Sequence, residues 1–221
     1  MKTKQSGFTL VEIAIVLVII GLLLGGILKG QEMITQAKIK NVVNDFNGIT
    51  AAVNSYRDRY RAMPGDDLNA STRWAGVAIV PNGNGNGIFD TAGTACTYKD
   101  TGSATSADEC NLFWWHLRLS GFVAGTTAAQ ASSEQQPANA ANGIMGVQTS
   151  GLGFTSNIVC SSNLPDKIAI AVDTAMDDGT ANSGQMRATL QTAPNPAVPA
   201  TTTADVYAET GTNQYLLCKA L

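Results

Sequence analysis

The chain has 221 residues, only 14% of them charged, and a net charge of −3. That length holds one ordinary domain plus an anchor, and so sparse and negative a charge makes no case for a general nucleic-acid binder. Four Cys without a Cys-x-x-Cys pair suit disulfides in an oxidising compartment better than a zinc site.

The first element is the start of the chain. Lys2-Thr-Lys-Gln-Ser-Gly7 is a short basic leader, and an apolar run follows from Phe8 to Leu28. Those 21 residues, at about 1.5 Å each, match the thickness of a bilayer's hydrocarbon core. Glu12 lies inside the run. A carboxylate at membrane depth costs on the order of 3 kcal/mol and calls for a partner. A secretory signal peptide would have a shorter apolar core and a small-x-small site, whereas Lys29-Gly-Gln-Glu32 follows here. An ordinary single-pass anchor accounts for the hydrophobicity but leaves Glu12 unexplained.

Gly7-Phe8-Thr9-Leu10-Val11-Glu12 resembles the prepilin cleavage and methylation motif of type IV pilins and of the pseudopilins of type II secretion. The leader, the Gly, the Phe and the Glu all fall in register. The resemblance implies that prepilin peptidase cuts after Gly7 on the cytoplasmic side and methylates the new N-terminus at Phe8. It also implies that Glu12 pairs with the cationic amine of Phe8, on its own chain or on the previous subunit. A paired buried charge is tolerated where a lone one is not. The simpler role for Glu12 is to favour the positive end of the helix dipole, a smaller effect that does not need a membrane.

Beyond the apolar run the helical pattern continues. Met33, Ile34, Ala37, Ile39, Val42, Val43, Phe46, Ile49, Ala52, Val53, Tyr56 and Tyr60 recur at three- and four-residue spacings, an amphipathic stripe. Met63-Pro64-Gly65 ends it. Phe8 to Arg61 is thus expected as one helix, about 80 Å long, with residues 8–28 in the membrane. Gly21, Gly25, Gly26, Gly30 and Gly48 each cost roughly 1 kcal/mol against Ala within it. They allow close helix packing or, by resemblance to pilins, local unwinding on assembly. Many family members carry a Pro near the end of the apolar run, where this chain has Lys29. From Lys29 to Arg61 there are six basic and three acidic residues, and from Ala62 onward six basic and thirteen acidic. A cationic stem carries an anionic head.

The head, 62–221, is rich in Gly, Ala, Thr, Ser and Asn. Asn82-Gly-Asn-Gly-Asn-Gly87 is a loop with several positive-φ positions. Asn82, Asn84, Asn86 and Asp90, with Asp66 or Asp67 nearby, have the oxygen spacing of a weak calcium loop, and several pseudopilins hold calcium in their heads. A plain turn-rich loop is the competing reading. Ala107 to Leu119 reads as a short amphipathic helix with Phe113, Leu117 and one of the two Trp inward, and Gly121 ends it. His116, the only His, is expected on the surface or partly packed, with no second His and no nucleophile elbow beside it. Ala124 to Gly143 and Pro194 to Thr203 read as loops. Phe154–Cys160, Gln185–Leu190 and Tyr215–Cys218 read as strands, and Leu164–Met176 as a helix in competition with a strand. Asp173, Asp177 and Asp178 form a solvated acidic turn or, alternatively, a set of cation ligands.

Three cysteine pairings are open, and the expected set is Cys96–Cys110 with Cys160–Cys218. The first closes a local loop; the second, which ties the C-terminal strand back into the head, is of the kind that delimits a variable surface region in pilins. The fold expected is α+β: a long N-terminal helix packed on a small antiparallel sheet, with extra short helices and long loops. The expected parts are a leader (1–7), the helix (8–61) and a globular head (62–221). The resemblance implies a homo-oligomeric filament subunit with prepilin peptidase, an inner-membrane assembly platform and membrane lipid as partners. Its head would face the periplasm before assembly and the cell surface afterwards. A type II secretion pseudopilin and a membrane-anchored adhesin or minor pilin are the alternatives. An enzyme has the least support, since no nucleophile, base or cofactor constellation emerges.

Overall fold

The computed structural model describes residues 9–76, 80–91, 93–99, 108–128, 135–196 and 205–221. The chain divides into two units, Met1–Lys38 and Ile39–Leu221. Helix α1 spans Leu10–Tyr60, 51 residues. Phe8 lies outside the described residues; the helix begins two residues after it because Thr9 caps the first turn. In the first unit Leu10 to Leu28 is exposed throughout, and an 18-residue window has mean hydropathy 2.8. This is the length and composition of a membrane-crossing helix. At the other end Arg61 takes φ 55° while its N–H bonds the Arg57 carbonyl at 2.9 Å, and Pro64 follows. The left-handed residue and the proline together stop the helix.

In the second unit the rest of α1 contributes Val42, Phe46, Ile49, Val53 and Tyr56 to the core, all buried. The sheet has four strands: β3 (Met145–Gly151), β4 (Phe154–Pro165), β5 (Met186–Leu190) and β6 (Gln214–Ala220). They are ordered β3-β4-β6-β5, every pair antiparallel. A short hairpin, β1 (Asp90–Thr91) with β2 (Thr94–Ala95), stands apart from that sheet. Among the described residues three helices complete the unit: α2 (Ala70–Arg73), α3 (Glu109–Leu119) and α4 (Asp166–Met176).

Side chains alternate along a strand, so each face of the sheet carries its own cluster. Val147, Val159 and Leu217 join the α1 residues, Phe113 and Trp114 of α3, and Ile168 and Val172 of α4. On the opposite face Ile158, Cys160, Leu216 and Cys218 pack with Tyr98 and Leu152. Among the described residues, both faces of the sheet thus carry buried apolar side chains.

Several expectations change in detail. Strand β4 runs five residues past Cys160, so Pro165 closes the strand and caps α4 rather than opening it; Ile168, Ile170 and Val172, whose alternation competed for a strand, lie in the helix. Strand β3 was not expected at all. Helix α3 is not amphipathic: Glu109 to Arg118 are all buried, both Trp included, because α1, α2 and the loops enclose it.

Cys96 is bonded to Cys110 and Cys160 to Cys218. The second pair sits directly opposite across β4 and β6 and closes a 58-residue separation. Reducing it, or changing both residues to Ser, is expected to lower the unfolding free energy by about 4 kcal/mol through the freed denatured chain. Urea unfolding of the full chain in detergent, the Cys160→Ser/Cys218→Ser variant against the wild type, measures that loss.

Candidate assembly site

The first candidate is the start of α1. Thr9 and Glu12 form a capping box: the Thr9 N–H and Oγ1–H both donate to Glu12 Oε2 at 2.8 Å, and Glu12 N–H donates to Thr9 Oγ1 at 3.3 Å. The carboxylate is thereby turned back toward the N-terminal end of the helix, where free N–H groups leave partial positive charge. Gly7 and Phe8, the expected cleavage and methylation positions, lie outside the described residues. A Cβ added at Gly21, Gly25, Gly26 or Gly30 meets nothing within 4 Å. None of these glycines is required by contacts among the described residues, so each leaves room there for a neighbour.

The second candidate is the loop Asn82–Asp90. Its N–H groups have no ladder to join, and three carboxylates supply acceptors instead. Asp66, 5% exposed, accepts from Gly85, Asn86 and Gly87. Glu109 accepts from Asn84 N at 2.8 Å and from Asp90 N at 2.9 Å. Asp90 accepts from the side-chain amides of Asn84 and Asn86 and from Gly93 N. Asn84, Asn86 and Asp90 are therefore together, while Asn82 turns away and accepts from Ser71 N. The amide oxygens of Asn84 and Asn86 accept from Asn86 N and Ile88 N. In this arrangement the loop's carboxylate and amide oxygens are engaged by N–H groups.

Beneath the loop lies a part of the site that the sequence did not reveal. Asp67 Oδ2 accepts from Tyr56 OH at 2.6 Å and from the Arg73 guanidinium, and Asp67 Oδ1 accepts from Asn69 N. These contacts hold the carboxyl below its ordinary range despite its burial. The Arg73 guanidinium also lies over the rings of Tyr60 and Trp74. His116 is fully buried, where a surface or partly packed position was expected. Its Nδ1 accepts the Gly65 N–H at 3.0 Å, which leaves Nε2 to donate toward the Pro81 carbonyl at 3.3 Å. The imidazole is a neutral clasp between the Pro64-Gly65 turn and the Asn-Gly loop, and it stacks on Tyr56 with planes 8° apart. Gly65, at φ 88°, must stay Gly, since a Cβ there would strike the Glu109 carbonyl.

Burial moves two of these groups in opposite directions: Glu109 is pushed up to about 7 and His116 down to about 4. As pH falls from about 7 to 4.5, Glu109 takes up its proton more readily folded than unfolded and adds stability. His116 does the reverse. Below its ordinary 6.5 the unfolded chain binds the proton first, so stability is lost down to about pH 4. The two slopes oppose each other in the wild type. His116→Asn is expected to leave a chain that gains stability on acidification, and Glu109→Gln one that loses it. Urea midpoints of the detergent-solubilised chain between pH 7 and 5 read the two signs.

The acidic turn after α4 is tied internally. Asp173 accepts from Tyr207 OH and Gly179 N, Asp177 from Met186 N, and Asp178 from Thr180 N and Ser183 Oγ.

Comparison with known proteins bears on the first candidate most directly. Residues 2–28 match the Prokaryotic N-terminal methylation motif. The chain is 28% identical over 149 residues to Fimbrial protein EcpC of Eikenella corrodens, a match covering 64% of this chain and 94% of that relative. No solved structure matches. The motif and the fimbrial relative together support the resemblance to type IV pilins and a pilin-like structural subunit.

Proposed function

We propose that this chain is a subunit of a type IV pilus-like filament, made as a precursor, cleaved after Gly7, methylated on Phe8 and polymerised through α1. The observation that carries the proposal is Glu12: a single carboxylate at the head of an exposed apolar helix, already turned toward the end where cleavage would create an amine. The membrane holds the subunit as a reservoir through residues 8–28, with the head in the periplasm. On assembly, helix packs against helix, and the amine of each incoming Phe8 meets Glu12 of a neighbour. The role is structural rather than catalytic.

The fimbrial relative favours a pilus over a secretion pseudopilus, and the match extends over nearly the whole of that protein. Shearing of producing cells followed by immunodetection tests this choice. The chain is expected in the sheared filament pellet. Confinement of processed chain to the membrane fraction favours the type II secretion pseudopilus instead.

A further inference from the structure

We infer that a lysine from the stem of a second copy seats in a recess beside Asp45. The inference rests on the filament reading above and specifies one of its contacts. The recess, about 240 Å³, lies between α1 and the segments around Trp114 and Pro137. Its lining includes Ile49, Trp114 and Met145, all buried, with Phe122 and Val123 part-buried. On the α1 side Gly48 leaves the opening clear, since a Cβ there meets nothing within 4 Å.

Asp45 borders this apolar space without a hydrogen bond or ion pair among the described residues. Burial alone pushes its carboxyl up. Its own helix offers no cation one turn away, because Asn41, Val42, Gly48 and Ile49 occupy those positions. A half-buried carboxylate without a partner is unfavourable, and a countercharge brought from outside relieves it. The recess therefore calls for an apolar shaft ending in a cation, which is the form of a lysine side chain.

The chain itself carries such groups in the right place. The exposed run Leu10–Leu28 must be covered by lipid or by other copies, and the basic residues that follow it before Asp45 are Lys29, Lys38 and Lys40. None of the three makes an ion pair among the described residues. A neighbour whose stem packs along this face brings its lysines to the acidic rim, and the charge match fixes the stagger between copies.

Disulfide trapping tests the contact, since all four native Cys are already paired. Two differently tagged chains are co-expressed, one carrying Asp45→Cys and the other Lys29→Cys, Lys38→Cys or Lys40→Cys. A reducible dimer of unlike tags in sheared filaments, at one lysine position and not with Arg57→Cys, is the expected result. Asp45→Lys is expected to cut filament yield about ten-fold or more, and reversal of the trapped lysine to Glu to restore it. Filaments in normal yield with no trapped dimer at any of the three lysines would overturn this contact and leave the filament reading intact. Absence of filaments from the wild type would overturn both.

Discussion

Replacing Glu12 by Ala is expected to stop incorporation into filaments while leaving the chain in the membrane. Two contributions are lost. The smaller is the cap, since Thr9 N–H and Oγ1–H both use Glu12 Oε2; a lost cap costs about 1 kcal/mol. The larger is the charge pair proposed for the filament. Removing one member of a buried pair costs about 3–5 kcal/mol, a factor of roughly 100 or more in the assembly equilibrium. Glu12→Gln separates the two contributions, because its amide oxygen can still accept from Thr9 but carries no charge. On the pairing account Gln behaves like Ala. A Gln variant that assembles like the wild type would show that only the cap matters. Quantitation of sheared filaments against membrane-held chain decides between them.

Asp67→Ala is expected to have the largest effect on the stability of the head. Asp67 is fully buried and is the common acceptor for Tyr56 OH, the Arg73 guanidinium and Asn69 N. Its removal leaves a hydroxyl and a cation without their acceptor beside Tyr60 and Trp74. A loss of about 3–5 kcal/mol follows, a large share of the roughly 5–15 kcal/mol that holds a domain folded. Asp67→Asn keeps an acceptor but loses the charge, and is expected to fall at about half that cost. Urea unfolding of the detergent-solubilised chain ranks the three proteins. Equal stability of Asp67→Ala and the wild type would mean that the Asp67 contacts carry no net stability.

The stem was legible in the sequence because both of its signals are local. Hydropathy marks Leu10–Leu28, and the 3.6-residue recurrence from Met33 to Tyr60 continues it. Strand β3 was not legible: Met-Gly-Val-Gln-Thr-Ser-Gly has weak strand propensity, and pairing with β4 makes it a strand. His116 was misplaced for a related reason. Its partners are backbone atoms of Gly65 and Pro81, 51 and 35 residues away, and nothing in the helix around it points to them. The carboxylate bracing had a readable trace. A run of Asn-Gly repeats is a row of N–H groups with no ladder, and the acidic pair Asp66-Asp67 next to the helix break is a ready set of acceptors. The spacing of Asn82, Asn84 and Asn86 drew attention to a cation; in the structure their amide oxygens accept from the backbone N–H groups of Ser71, Asn86 and Ile88.

Intact mass spectrometry of sheared filaments, reduced and non-reduced, tests the central claim most directly. The account predicts a dominant chain beginning at Phe8, one methyl heavier than the bare polypeptide and heavier again by four hydrogens after reduction of the two disulfides. A chain still beginning at Met1 in cells with a working prepilin peptidase would contradict it.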